Sequence, residues 1–138
     1  MLTKPTTIIF RTKYLGFYVG VTGPLNERSD CSVKALANYM STTYDESHKQ
    51  HSTYGRVYAK GTTPITLRLT YRSLGLKCTT YGVGSVKGIS VGSFVRKNSV
   101  GRFIVVITGH AFALIDGKIM DEALVKSLAR VQMSWCVR

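Results

Sequence analysis

The sequence predicts an α+β domain, with helices toward the N-terminus packed on an antiparallel sheet formed later in the chain. Two observations carry this. Val33, Leu36, Ala37 and Met40 recur at i, i+3, i+4 and i+7, one apolar face of an amphipathic helix. Residues 102–108 and 111–115 are strongly β-prone and lead into Asp116-Gly117, a short-range hairpin signal that sends residues 118–121 back as a partner strand. No linker, repeat or low-complexity tract interrupts the 138 residues, so residues 1–138 read as one domain.

The remaining elements follow in order. Residues 6–10 and 14–21 are rich in Ile, Phe, Tyr and Val and read as strands closed by Thr22-Gly23-Pro24. The first helix starts at Ser29 or Asp30, either of which can cap it. Residues 45–51 suggest a second, short helix. Thr63-Pro64 is a capping hydroxyl before a proline at the first helical position, and Gly75 is a stop. The strict alternation of Ile65, Leu67, Leu69 and Tyr71 points instead to a strand, and helix is the preferred reading. Residues 77–83 follow as a strand, then a glycine-marked loop, then a helical turn at 93–97.

Composition narrows the class. The longest apolar runs, 103–107 and 111–115, fall far short of the roughly 18 residues a membrane span needs. Pro5, Arg11 and Lys13 break up the N-terminal apolar character, which argues against a secretory leader and for a cytoplasmic protein. The three cysteines, Cys31, Cys78 and Cys136, are odd in number and form no CxxC pair, so neither a disulfide framework nor a zinc site is expected. His48 and His51 share a helical face without a recognised metal pattern and read as surface residues. No cofactor is implied. Gly82, Gly84 and Gly88 lack the Lys-Ser/Thr of a phosphate loop.

The net charge is +12, and no Asp or Glu occurs between Ser47 and Ile115, a stretch with ten basic residues. That is either a solvated basic surface or one that meets nucleic acid or an acidic partner. Eight tyrosines could add stacking surface, although strands also use tyrosine for packing.

The candidate chemistry rests on Cys31, His110 and Asp121. Cys31 lies in the first turn of its helix, where unpaired backbone N–H groups and the helix dipole favour a thiolate. His110 lies between Gly109 and Ala111 at the start of a strand. A two-residue turn at Asp116-Gly117 pairs Ile115 with Lys118. Counting outward sets Asp121 opposite Phe112, on the face of His110 and diagonal to it. This is a nucleophile–base–orienter order. The plainer reading is a core histidine bonded to backbone and a solvating acid at a strand end. Cys78 and Cys136 read as packing residues.

The stretch Asp30-Cys31-Ser32-Val33-Lys34-Ala35-Leu36-Ala37 resembles the DC-x-x-(R/K)ALA start of a group of small bacteriophage proteins of papain-like cysteine-peptidase character. Gly61-Thr62-Thr63, Phe94-Val95-Arg96-Lys97-Asn98, Gly101-Arg102-Phe103-Ile104-Val105 and Gly109-His110-Ala111-Phe112-Ala113 with Asp116-Gly117 and Asp121 are similar to later parts of the same proteins. The resemblance runs from about Asn26 to Asp121. It implies a papain-like fold with a Cys–His–Asp thiol-hydrolase site acting on a peptide or protein substrate in the host cytoplasm or virion. It also implies an oxyanion-hole amide shortly before the nucleophile, where glutamine is usual. Asn26 is the candidate here, with Ser29 as a second donor. The alternative is a catalytically silent relative that binds nucleic acid or an acidic host protein.

Overall fold

A computed structural model describes residues 14–15, 20–24, 29–57, 60–81, 88–121 and 125–137. The expectations for residues 6–10, 16–19, 82–87 and Asn26 lie outside them. In chain order the elements are β1 (Tyr14–Leu15), α1 (Cys31–Met40), α2 (Tyr44–Thr53), α3 (Pro64–Ser73), β2 (Lys77–Thr80), β3 (Ile89–Ser90), α4 (Val91–Lys97), β4 (Arg102–Ile107), β5 (His110–Ile115), β6 (Lys118–Met120), β7 (Val125–Lys126), β8 (Arg130–Val131) and β9 (Met133–Cys136). The central sheet runs β2-β9-β4-β5-β6 and every neighbouring pair is antiparallel, so the α+β class holds. Two small ladders, β1 with β7 and β3 with β8, complete the strands among the described residues. Gly20 to Pro24 carry no regular structure, so the expected strand does not extend to Val21.

Strand alternation divides the core between the two faces of the sheet. Ile104, Ala111 and Trp135 join Ala35, Leu36 and Tyr39 of α1 and Leu67 and Tyr71 of α3 in one cluster. Val105, Phe112, Leu114 and Ile119 join Val91 and Phe94 of α4, with Val125 and Val131, in the other. Helix α1 lies mainly over β5, with Ala35 and Ala111 in the same buried cluster. Small side chains on both elements let the two backbones approach closely, and this brings the start of α1 to the start of β5.

Three helix boundaries show how local chemistry decides. Thr63 accepts a hydrogen bond from the Thr66 N–H (3.2 Å) with Pro64 at the first helical position, so 64–73 is helical despite its alternating apolar residues. The helix buries Thr66, Leu67, Thr70 and Tyr71 and leaves Ile65 and Leu69 exposed. Ser90 caps α4 through the Ser93 N–H (3.2 Å), which starts that helix two residues before the expected turn. Asp30 is the N-cap of α1, but its side chain makes no capping hydrogen bond. It accepts instead from the Tyr44 hydroxyl (2.8 Å) and pairs with Lys34 (3.4 Å). Met40 departs from the expected buried face: it is the last residue of α1 and is exposed, while Ala35 and Tyr39 are buried.

Strand β9, between β2 and β4, has no counterpart among the sequence expectations. Its register sets Trp135 between Cys78 and Ile104, fully buried. In the β5–β6 turn, Asp116 and Gly117 both have positive φ (49° and 80°), the geometry that the residue pair favours. The Asp116 carboxylate also accepts the Gly101 N–H (2.9 Å).

Candidate active site

Residues at the start of two elements form the site. Cys31 is the first residue of α1 and His110 the first residue of β5. The β4–β5 loop is only Thr108-Gly109, with Ile107 paired to His110. Gly109 adopts φ +70°, a conformation side-chain-bearing residues rarely hold. That tight loop fixes where the imidazole stands. Register does the rest. Ile115 pairs with Lys118, Leu114 with Ile119 and Ala113 with Met120, so the next step sets Asp121 against Phe112 on the His110 face.

The side chains meet accordingly. His110 Nε2 and Asp121 Oδ2 are 2.5 Å apart, with the two side chains 27% and 13% exposed. Cys31 lies beside the same ring and, after Asp121, is the second group that favours its charged form. The Asp121 hydrogen bond, then the one to Cys31, raise the His110 pKa from 6.5 to about 10, outweighing the opposing effect of burial. At neutral pH the ring is therefore a cation held between a sulfur and a carboxylate. Among the described residues no three His, Cys, Asp or Glu side chains cluster as metal ligands, and no helix is long and apolar enough to cross a membrane.

Two clefts flank this pair. The larger, about 440 Å³, runs from Cys31 and His110 past Thr62 and Arg68 to Val106 and Met133. The smaller, about 260 Å³, is bordered by Asp30, Lys34, Met120 and Asp121. Ser29, Cys31, Gly109, His110 and Ala111 line both, so the sulfur and the imidazole stand where the clefts join. Ser29 holds a left-handed backbone (φ 55°) just before α1, a strained position for a non-glycine residue. Asn26 lies outside the described residues.

Several supporting groups were not singled out from sequence. The Ser32 hydroxyl lies 2.6 Å from that of Thr62, tying the segment before α3 to the first turn of α1. The Tyr71 hydroxyl donates to the Ser32 carbonyl (3.0 Å), bracing the first turn of α1 from α3. A hydroxyl adjacent to the candidate nucleophile was the available signal for Ser32; nothing local marks Tyr71, which acts across 39 positions.

His51 departs from its expected surface position. It is fully buried, because Tyr44, Ser47 and His51 form the inward face of α2. Its Nδ1–H donates to the Ser47 carbonyl (2.9 Å), and its ring packs edge-on against Tyr71. Nε2 has no partner among the described residues, and desolvation lowers the pKa to about 4. Cys78 and Cys136 lie on adjacent strands, β2 and β9, away from the two clefts, and burial raises the Cys78 pKa.

Comparison with protein-family models, with curated proteins and with solved structures finds no match for this chain.

Proposed function

We propose that the protein is a papain-like, cysteine-dependent hydrolase of peptide or isopeptide bonds, working in the cytoplasm of a bacteriophage's host. The observation that carries this reading is the His110–Asp121 hydrogen bond beside Cys31, with the sulfur and the imidazole at the junction of two clefts. Cys31 Sγ, as the thiolate, attacks the amide carbonyl carbon, and the C=O π electrons move onto oxygen. Backbone N–H groups at the start of α1, which lack intrahelical acceptors, face the developing oxyanion, with Asn26 as the candidate side-chain donor. His110 gives its proton to the leaving nitrogen as the C–N bond breaks, leaving a thioester. Water then attacks the thioester, His110 takes the water proton, and the C–S bond breaks to release the acid and regenerate the thiolate–imidazolium pair. Asp121 holds the ring and stabilises its charged form throughout.

Iodoacetamide at neutral pH, with mass mapping of the alkylated thiol, tests this in the folded protein. Cys31 is expected to react well before Cys78 and Cys136. Equal or slower alkylation of Cys31 would count against the enzyme reading.

A second reading, a catalytically silent protein that contacts nucleic acid or an acidic host protein, draws on the +12 charge. Two of the ten basic residues in the acid-free stretch have structural work instead. Arg56 is buried, and Arg102 donates to the Tyr39 carbonyl and the Ser41 hydroxyl (2.9 Å each) at the C-terminal end of α1. A nucleic-acid role requires duplex binding that weakens steeply with salt. No association at low ionic strength would remove nucleic acid as a partner.

A further inference from the structure

The clefts on either side of Cys31 differ in charge. Among the described residues, the carboxylates that line them belong to the smaller cleft, which has Asp30 and Asp121 with Lys34. Among the described residues the larger cleft has no acidic side chain in its lining. Its walls are apolar at Leu67, Val106, Ile107 and Met133, and Arg68 of α3 is its basic side chain besides the imidazole. Arg68 is half-buried and has no carboxylate partner among the described residues. Leu67 and Tyr71 turn into the core, while Arg68, next to Leu67 on α3, stays half-buried and lines the cleft. A cleft of about 440 Å³ accommodates a segment of one or two residues rather than a single small group.

We propose that the larger cleft selects a substrate segment bearing an apolar side chain and a carboxylate, with Arg68 as the residue that recognises the carboxylate. The assignment rests on Cys31 being the nucleophile, since the segment must be presented to that sulfur. The apolar group lies against Leu67, Val106 and Met133, and the carboxylate accepts charge-assisted hydrogen bonds from the guanidinium. The same group in the smaller cleft would face Asp30 and Asp121, so charge alone orients an anionic segment toward the Arg68 side. Arg68 is a specificity residue in this scheme and takes no part in bond making or breaking.

Two alkylating probes differing in one charge test the assignment on the full chain: N-bromoacetyl-leucine and its uncharged amide, N-bromoacetyl-leucinamide. Each loses bromide as Cys31 Sγ bonds to the methylene carbon. The rate at Cys31 is read by mass mapping whatever its absolute size, with iodoacetamide run in parallel as a probe too small to reach Arg68. The acid is expected to react about tenfold faster than the amide, the size of one charge-assisted contact. Arg68→Gln should abolish that ratio and leave the iodoacetamide rate unchanged, whereas Lys34→Gln, on the other cleft, should leave the ratio intact. Equal rates for the two probes in the native protein overturn the assignment. So does a preference that persists in Arg68→Gln, because the His110 cation would then be its source. A Cys31 slow toward iodoacetamide is a different failure, that of the nucleophile itself, and the probe ratio separates the two.

Discussion

His51 and His110 stand in one small protein under opposite rules. His51 is the more deeply buried. Among the described residues its one hydrogen bond is to a backbone carbonyl and no anion offsets desolvation, so it stays neutral down to about pH 4. His110 is partly exposed, yet with Asp121 on one nitrogen and Cys31 as its other partner it stays protonated up to about pH 10. Burial alone silences an imidazole; a positioned carboxylate holds it charged. The carboxylate comes from the hairpin turn at Asp116-Gly117. Had the β5–β6 pairing slipped by one residue, Asp121 would face the opposite side of the sheet and His110 would lose its charge partner.

The largest effect expected from this contrast is on reactivity. His110→Ala should slow Cys31 alkylation at neutral pH by about 100-fold or more, the usual scale of a missing acid–base partner. His51→Ala should leave the Cys31 rate of the folded fraction nearly unchanged. It should instead lower stability by about 2–4 kcal/mol through the cavity left beside Tyr71. Urea unfolding and alkylation measured on both variants separate the two roles. If His51→Ala lost reactivity as heavily as His110→Ala, the two histidines would not be functionally distinct.

Asp121 gives the next effect, because its charge and its geometry can be removed separately. Asp121→Asn retains an oxygen that can accept from Nε2 but removes the anion, so the His110 pKa should fall well below about 10. Asp121→Ala removes both and should lower Cys31 reactivity further with little change in fold. NMR titration of the His110 ring reads the shift directly. A ring that still titrates near pH 10 in Asp121→Asn would mean that Cys31, and not Asp121, holds the charge.

The same two groups set opposite slopes of stability with pH. For His51 the folded pKa lies below the unfolded 6.5, so between about pH 6.5 and 4 the unfolded chain binds more protons and stability falls as pH falls. The loss approaches about 3 kcal/mol at the acid end. For His110 the folded pKa lies above the unfolded value. Its contribution is fully present below about pH 6.5 and is lost as pH rises toward about 10. Urea unfolding of His51→Gln, which keeps a donor for the Ser47 carbonyl, should flatten the acid limb and leave the alkaline one. An unchanged acid limb would assign that loss to other groups.

Local signals made part of this arrangement legible. The hydroxyl-proline start of α3, the amphipathic run of α1 and the Asp-Gly turn are each written within a few residues, and the turn alone fixes the register that brings Asp121 to His110. What escaped the sequence depends on distance along the chain. Met133 to Cys136 is too short and too irregular to announce a strand, yet it occupies a central position because β2 and β4 both have open edges for it. His51 reads as polar and therefore exposed until α2 is packed against α1 and Tyr71. Arg68 looks like one more basic residue until the fold sets it in the lining of the larger cleft beside Cys31.

The smallest effect concerns two serine hydroxyls, one near each histidine. Ser47 Oγ donates to the Val33 carbonyl (2.6 Å) inside the α1–α2 contact, and Ser47 is buried. Removing that hydroxyl strands a carbonyl lone pair with no route to water, so Ser47→Ala should cost about 1–3 kcal/mol. Ser32 is buried too, but its partner at 2.6 Å, Thr62 Oγ1, belongs to a half-buried residue in the lining of the larger cleft, where water can replace a lost partner. Thr62→Val should therefore cost only about 0.5–1 kcal/mol. A double-mutant cycle of Ser32→Ala with Thr62→Val should give a coupling of that order, since each single change removes the same bond. The functional readout runs the other way. Thr62→Val loosens the segment at residues 61–63 beside the cleft and should reduce Cys31 alkylation by the bulkier leucine probes more than by iodoacetamide. Ser47→Ala should scale all three rates alike. If Thr62→Val proved as destabilising as Ser47→Ala, water would not reach the hydroxyl pair, and the larger cleft would be closed where this structure shows it open.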